Sequence, residues 1–428
     1  MAVVNKEKYL GRIIDRNVRR YLQIFGAVCI EGPKWCGKTW TSSFHCSSEI
    51  MIGSPENNFQ NRQLAELSPS LILEGDVPRL IDEWQEVPSL WDAVRYEVDR
   101  RGQKAQFILT GSSTPNRKGV MHSGAGRIGK LRMRTMSLYE SGDSSGKVSL
   151  SDLCNGILTP AMTGEVSLKE LIYLAVRGGW PGNLGVSEAD AQLLPESYIN
   201  AVLDDDLRRI DDVKRDTHKV SLLLRSLARN ECTTASINKI ANDISEYDGG
   251  QVDRTTAAEY IAVLSRLFLF DNQLPFSSNI RSSVRVKQTE KRHFCDPALA
   301  CALLKATPAK LLNDLNTFGF IFEAMCERDL RIYAESFGAE LLHYQDYKNR
   351  EIDAVIELED GRWCAFEIKL GANQIDRAAA DLIALRDSIA AEKGGVPPSV
   401  LCVICGMSNA AYVRPDGVFV VPVTALKP

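Results

Sequence analysis

The sequence predicts an α/β fold in three successive parts. An N-terminal parallel sheet comes first, then a helical and winged-helix segment, then a second α/β domain. Three observations carry this. Gly32-Pro33-Lys34-Trp35-Cys36-Gly37-Lys38-Thr39 follows the apolar run Ala27-Val28-Cys29-Ile30 and precedes the helix-compatible run Trp40 to Phe44. Pro78-Arg79-Leu80-Ile81-Asp82-Glu83 reads as a strand ending in two carboxylates. Far downstream, Glu351 to Leu358 alternates acidic and apolar residues, turns at Asp360-Gly361 and returns as Trp363 to Lys369.

The first stretch is Gly-x-x-x-x-Gly-Lys-Thr, a phosphate-binding loop between a buried strand and a helix. Its glycines let successive amides converge on a β-phosphate at the positive end of the helix. The expected nucleotide-binding residues are therefore Gly32, Pro33, Lys34, Trp35, Cys36, Gly37, Lys38 and Thr39, together with Asp82. Lys38 would reach the β- and γ-phosphates, and the Thr39 hydroxyl would sit on Mg²⁺. Asp82 would hold the same ion, directly or through water, while Glu83 polarises the attacking water. A further strand, Phe107-Ile108-Leu109-Thr110, runs into Gly111-Ser112-Ser113, and Thr110 at its polar tip is the expected sensor of the γ-phosphate or the water. Strand and helix alternate through about residue 165, as a P-loop NTPase sheet requires. ATP and Mg²⁺ are the cofactors expected. Cys36 is read in two ways: a thiol activated toward alkylation by the amide nest, or a variable position without a role.

A chain of 428 residues is too long for one core, and two to four domains are expected. Hydrophobic content of 44% and charged content of 25% are ordinary for a globular protein. A net charge of -4 speaks against bulk nucleic-acid binding, so any such contact must come from a local basic patch. No apolar run approaches the roughly 18–20 residues that span a bilayer. Met1 to Arg20 is polar and lacks a signal core, so a cytoplasmic protein is expected. The 11 cysteines fall mainly among apolar residues, and Cys402-Val403-Ile404-Cys405 is expected as a pair of buried strand thiols despite its spacing. With five histidines and none beside a cysteine pair, a zinc site is not expected.

Residues 166–230 read as a helical linker or lid. The turn cluster Gly178-Gly179-Trp180-Pro181-Gly182 precedes one long helical stretch, Glu196 to Ala228, on which Asp204-Asp205-Asp206 would be solvated. Residues 231–300 read as a winged helix. One helix spans Thr234 to Ile244, Asp248-Gly249-Gly250 turns the chain, and a second helix is capped by Asp253. Phe268-Leu269-Phe270 and Arg292-His293-Phe294 would form the wing, with Arg281, Arg285, Lys287, Lys291 and Arg292 as a basic segment. This module either touches nucleic-acid phosphates or joins neighbouring domains.

Residues 301–428 hold the other chemistry-bearing cluster. Phe320 to Tyr333 is an amphipathic helix carrying Glu323. In the hairpin after it, period-2 geometry puts Glu367 and Lys369 on one face, with Asp353 on the neighbouring strand. Two acids and a lysine converging on adjacent strands suit a Mg²⁺-dependent phosphodiesterase, in which Asp353 and Glu367 hold the metal and Lys369 orients the water. Surface acids on an exposed hairpin are the competing reading.

With these motifs in place, the chain resembles, nearly end to end, the prokaryotic AAA-like ATPases that carry a DUF4143 C-terminal region. The resemblance rests on Gly32 to Thr39, Leu80-Ile81-Asp82-Glu83-Trp84-Gln85, Leu109-Thr110-Gly111-Ser112, Ser123-Gly124-Ala125-Gly126-Arg127, Gly178-Gly179-Trp180-Pro181 and the acid–Glu-x-Lys region. It implies a winged helix followed by a domain similar to PD-(D/E)XK nucleases. It also implies that Arg127, in the Ala-Gly-Arg motif, acts on the γ-phosphate, either within its own subunit or across an interface of a homo-oligomer. Trp35-Cys36 replaces more usual small or polar residues, and Ile352-Asp353 stands where the nuclease signature has Pro-Asp; neither change removes a catalytic group. Two functions follow: an ATPase whose C-terminal domain processes DNA or RNA, or an ATP-regulated scaffold or signalling switch that binds protein or nucleic acid without cleaving it.

Overall fold

The computed structural model describes residues 5–114, 120–210, 213, 215–248, 252–279, 281–346, 350–392 and 394–428. The chain forms two compact units. One comprises residues 1–135 with 204–215 and 261–269; the other comprises 136–203, 216–260 and 270–428. The sheet-bearing N-terminal unit thus stops at 135, whereas alternation of strands and helices had placed its end near 165. Residues 136–165 instead pair within the second unit, where Ala161–Met162 adds to the end of the large sheet and Val148–Ser149 pairs with Leu426–Lys427. Among the described residues no helix is long and apolar enough to cross a membrane.

In the first unit, strands β1 (Ala27–Glu31), β2 (Ser48–Met51), β3 (Arg79–Asp82), β4 (Phe107–Gly111) and β5 (Ile128–Arg132) form a parallel sheet in the order β2-β3-β4-β1-β5. β4 therefore lies between the strand that feeds the phosphate loop and the strand that ends in Asp82. Successive side chains point to opposite faces, which is why this run is apolar without a break. Ala27, Cys29, Ile81, Phe107 and Leu109 join Trp91, Val94 and Val98 of helix Ser89–Arg101 in one buried cluster. Val28, Ile30, Leu80 and Ile108 join Val18 and Leu22 of helix Asp15–Ile24 in another.

A run of helical segments lies between the two sheets along the chain. The helix expected over Glu196 to Ala228 is broken into Leu193–Ala201, a π-turn Val202–Asp206, Leu207–Arg209 and Thr217–Arg229. Asp216 restarts it, accepting hydrogen bonds from the amides of His218 (3.0 Å) and Lys219 (3.2 Å). Helix Ile237–Asp248 begins and ends later than expected, and helix Arg254–Arg266 is capped by Asp253, whose carboxylate accepts from Thr256 N at 2.7 Å. The turn proposed at Gly249-Gly250 lies outside the described residues. Antiparallel bridges pair Phe270 with Phe294 and Gln273 with Lys291.

Gly178 and Gly179 have a packing role. Gly178 sits at φ 68°, and a Cβ there would lie 2.6 Å from Asp296 Oδ1; one on Gly179 would lie 2.1 Å from the Met136 carbonyl. Only glycine permits that approach.

The large mixed sheet follows, with β6 as Ala161–Met162, β7 as Leu274–Pro275, β8 as Glu340–Gln345 and β9 as Glu351–Glu357. β10 is Trp363–Lys369, β11 Val400–Cys405, β12 Ala410–Val413 and β13 Phe419–Pro422. Its order is β6-β12-β13-β11-β10-β9-β8-β7. Helix Ile375–Ala391 covers one face through Ile375, Ala379, Leu382 and Ile389, packed with Val355, Trp363, Ala365 and Val403. Cys402 and Cys405 are buried strand thiols, as their apolar run predicts.

Candidate functional site

The phosphate loop leaves β1 and enters helix Lys38–His45, with Gly37 at φ 106°, a conformation that favours glycine. Lys38 is buried, and its ammonium donates to the Pro33 carbonyl at 2.8 Å. The Thr39 hydroxyl donates to Asp82 Oδ1 at 2.9 Å, and the Thr110 hydroxyl donates to the same oxygen at 2.6 Å. Thr110 in turn accepts from Glu83 N at 2.9 Å. Burial raises the Asp82 pKa above the usual carboxylate range. Glu83 sits at φ 57°, a strained position for a side-chain-bearing residue. Its Oε2 accepts from Ser112 Oγ at 2.8 Å and from the Gln85 amide. The three strand ends therefore bring Lys38, Thr39, Asp82, Glu83 and Thr110 together, as the motifs predict.

Three supports went unread in the sequence. Ser112 and Gln85 hold Glu83, and Gln85 also donates to Ser112 Oγ at 3.2 Å. Arg12 donates to the Cys36 carbonyl at 2.7 Å and to the Arg134 carbonyl at 3.0 Å, tying the loop to the chain beyond β5. Lys34 forms an ion pair with Asp206, which is buried and not the solvated helix residue expected. Ser112 was legible as a polar residue just past a strand end; Arg12 carried no pattern.

Two expectations are corrected. Cys36 does not face the amide nest: it is fully buried with Ile30, Leu131 and Met133, so an exposed, alkylation-prone thiol does not exist there. Arg127 does not reach the phosphate loop of its own chain. Its carbonyl accepts from Ala27 N, at the start of β1, whereas the loop begins at the other end of that strand. At about 3.3 Å per residue the separation is about 16 Å. Arg127 is half-exposed and pairs with Asp99 at 2.8 Å.

In the second unit, Asp353 and Glu367 face each other across the hairpin, one step beyond the Ala354–Phe366 pair. Lys369 Nζ lies 3.1 Å from Asp353 Oδ2 and 2.6 Å from Glu367 Oε2. Asp353 Oδ2 also accepts from Ile368 N at 2.7 Å. Burial, then the charge of Asp353, pushes Glu367 up to about 8 and Glu323 up to about 7. Glu367 is buried and Asp353 and Glu323 are partly buried, so these acids do not stand exposed on a hairpin surface.

Lys291 is the residue that sequence reasoning misplaced. It was expected in a phosphate-facing basic segment, yet it is buried. Its ammonium pairs with Glu323 and with Glu327 (2.8 Å), and donates to the Asp353 carbonyl at 3.2 Å. Glu323 and Glu327 stand one helical turn apart on helix Leu315–Ser336, so both reach it. Burial alone would push Glu327 up, but the charges of Lys291 and His293 hold it down at about 2. Arg285 is likewise spent on Glu357, and Arg292 on the Ala235 carbonyl.

Comparison with known proteins gives three domain matches: an AAA domain over residues 25–141, a domain of unknown function (DUF8612) over 168–310, and another (DUF4143) over 318–426. The first and last of these matches support a P-loop domain of the AAA type together with a DUF4143 C-terminal region. It is similar to uncharacterized proteins of Mycobacterium bovis and Mycobacterium tuberculosis, each 25% identical over 356 residues, covering 82% of this chain and 72% of each relative. A Walker-type ATPase of Pyrococcus abyssi aligns with a TM-score of 0.40 and 14% identity, over 69% of this chain and 96% of that one.

Proposed function

We propose that the chain hydrolyses ATP with Mg²⁺, and that its C-terminal domain retains a divalent-metal site for phosphodiester chemistry on DNA or RNA. The observation that carries the first part is the shared hold of Thr39 and Thr110 on one oxygen of Asp82. A hydroxyl and a carboxylate are hard oxygen donors, a set that fits Mg²⁺. When bound, that ion would supply positive charge to offset the negative charge of the phosphates. Lys38 would leave the Pro33 carbonyl for the phosphates. Glu83 would accept a proton from water, positioned by Ser112 and Gln85, while Thr110 keeps the two acids in register.

At the C-terminal cluster the oxygen donors Asp353, Glu367 and Glu323 fit a hard cation as well, and Lys369 is placed to orient a water. The second reading, binding without cleavage, draws support from Lys291, whose ammonium already satisfies Glu323 and the Asp353 carbonyl. Cleavage of labelled DNA and RNA in Mn²⁺ separates the two. On the first reading wild type cuts and Lys369→Ala is slower by at least about a hundredfold. Retained binding with no cleavage by either protein would select the second. The segment 231–300 is proposed as a winged helix, with the exposed Lys287 and Arg281 as the remaining cations for a phosphate backbone.

Arg127 keeps a role only across an interface between chains. Arg127→Ala is expected to leave turnover at high dilution within a few-fold of wild type, and to remove any extra turnover that appears as concentration rises. A large loss at every concentration would contradict the placement of Arg127 away from its own phosphate loop.

A further inference from the structure

Beside the carboxylate–lysine cluster lies a second group of ligand-type side chains that neither the ATPase nor the phosphodiesterase chemistry uses. Cys232, His293 and Glu327 are all buried, and one ligand atom from each lies within 4.8 Å of the others. They come from three separate segments: the chain after helix Thr217–Arg229, the strand-like stretch 291–294, and the long helix Leu315–Ser336. We infer that Cys232, His293 and Glu327 form a buried site for a thiophilic divalent ion of the Zn²⁺ type, independent of the Mg²⁺-type sites.

Four observations support this. The donor set is one sulfur, one imidazole nitrogen and one carboxylate oxygen, which suits Zn²⁺ and is poor for Mg²⁺. His293 Nδ1 lies 3.2 Å from Glu231 Oε1, the carboxylate–histidine arrangement that fixes the ring and aims the other nitrogen at a metal. That other nitrogen, Nε2, is buried and lies 3.0 Å from Glu327 Oε2, so the imidazole and the carboxylate that would share the ion already stand side by side. Finally, Cys232 is held at φ 62°, a conformation that strains a residue with a side chain, and its Sγ reaches Glu327 Oε2 at 3.1 Å.

The charges fit as well. Glu327 Oε1 is taken by Lys291, which leaves Oε2 for the metal, and a thiolate with a carboxylate balances a doubly charged ion. The ligand atoms need only a small opening, because two ligands of a tetrahedral zinc stand about 3.2–3.8 Å apart, given metal–ligand bonds of about 2.0–2.3 Å. Sequence spacing could not reveal the site, since His293 and Cys232 are far from each other and from Glu327 along the chain. The expectation of no zinc site rested on looking for paired cysteines.

The test uses the full chain, stripped with a chelator and titrated with Co²⁺ as a spectroscopic stand-in for Zn²⁺. One equivalent should bind with a thiolate-to-cobalt charge-transfer band, and Zn²⁺ should displace it. Cys232→Ser should abolish the band, His293→Gln should remove stoichiometric binding, and Glu231→Gln should weaken it by about 10–100-fold. Asp353→Asn should leave the band in place, which separates this site from the carboxylate–lysine cluster. Absence of stoichiometric binding, or a band that survives Cys232→Ser, overturns the proposal and leaves a hydrogen-bonded network only. X-ray absorption on the zinc-loaded wild type needs no variant. It should give one sulfur at about 2.3 Å with nitrogen and oxygen near 2.0 Å, and a shell without sulfur or with several sulfurs overturns the proposal equally.

Discussion

A Lys38→Ala chain should bind ATP at least about a hundredfold more weakly than wild type, because it removes the one mobile ammonium positioned to meet the β- and γ-phosphates. In the structure that ammonium rests on the Pro33 carbonyl, a neutral acceptor within the loop itself, so its release costs little. The other loop cation, Lys34, is committed to Asp206 and cannot substitute. Truncation leaves the fold intact, since Lys38 makes no ion pair in the apolar core below the loop. Nucleotide affinity by calorimetry or fluorescent-analogue displacement gives the answer. Affinity within a few-fold of wild type would mean that the loop does not cradle phosphate.

The second large effect is on stability. Arg328 is buried and donates to Asp296 Oδ2 at 3.0 Å and to Asp329 Oδ1 at 2.7 Å. Those carboxylates organise the backbone around them. Asp296 accepts from Gly179 N at 2.9 Å and Ala298 N at 3.0 Å, and Asp329 accepts from Leu138 N at 2.9 Å. Burial pushes Arg328 toward losing its proton, but the charges of both acids outweigh that and raise its pKa. Arg328→Ala strands two desolvated carboxylates, a loss of roughly 3–5 kcal/mol for a buried pair broken on one side. Arg328→Lys should recover only part of it, because an ammonium cannot reproduce the planar two-acid contact. Denaturant midpoints of the three proteins decide the point. An Arg328→Ala midpoint indistinguishable from wild type would show that the acids find other partners.

Most of the candidate nucleotide site was legible because its residues follow or end strands whose apolar runs announce them. Asp82 and Thr110 lie at the tips of β3 and β4, and sheet order alone brings them to Thr39. The hairpin acids were legible for the same reason: period 2 fixes Glu367 and Lys369 on one face, and the turn at Asp360-Gly361 sets the register with Asp353. What failed was reasoning along the chain about contacts made across it. Lys291 looked like a surface cation in a basic run, yet its partners Glu323 and Glu327 arrive from a helix that begins over twenty residues later. Arg127 had the right motif, but strand direction puts it at the wrong end of the sheet for its own chain. Asp206 looked solvated because a regular helix was assumed where a π-turn redirects it.

Hydrolysis as proposed rests on Glu83 to polarise water while Asp82 and Thr39 keep the metal. Phosphate release from ATP, measured for wild type and Glu83→Gln in Mg²⁺ with ATP affinity alongside, tests this most directly. Wild type is expected to release phosphate in a Mg²⁺-dependent manner, and a Glu83→Gln chain to bind ATP yet release phosphate at least about a hundredfold more slowly. Equal release by the two proteins would contradict this role of Glu83.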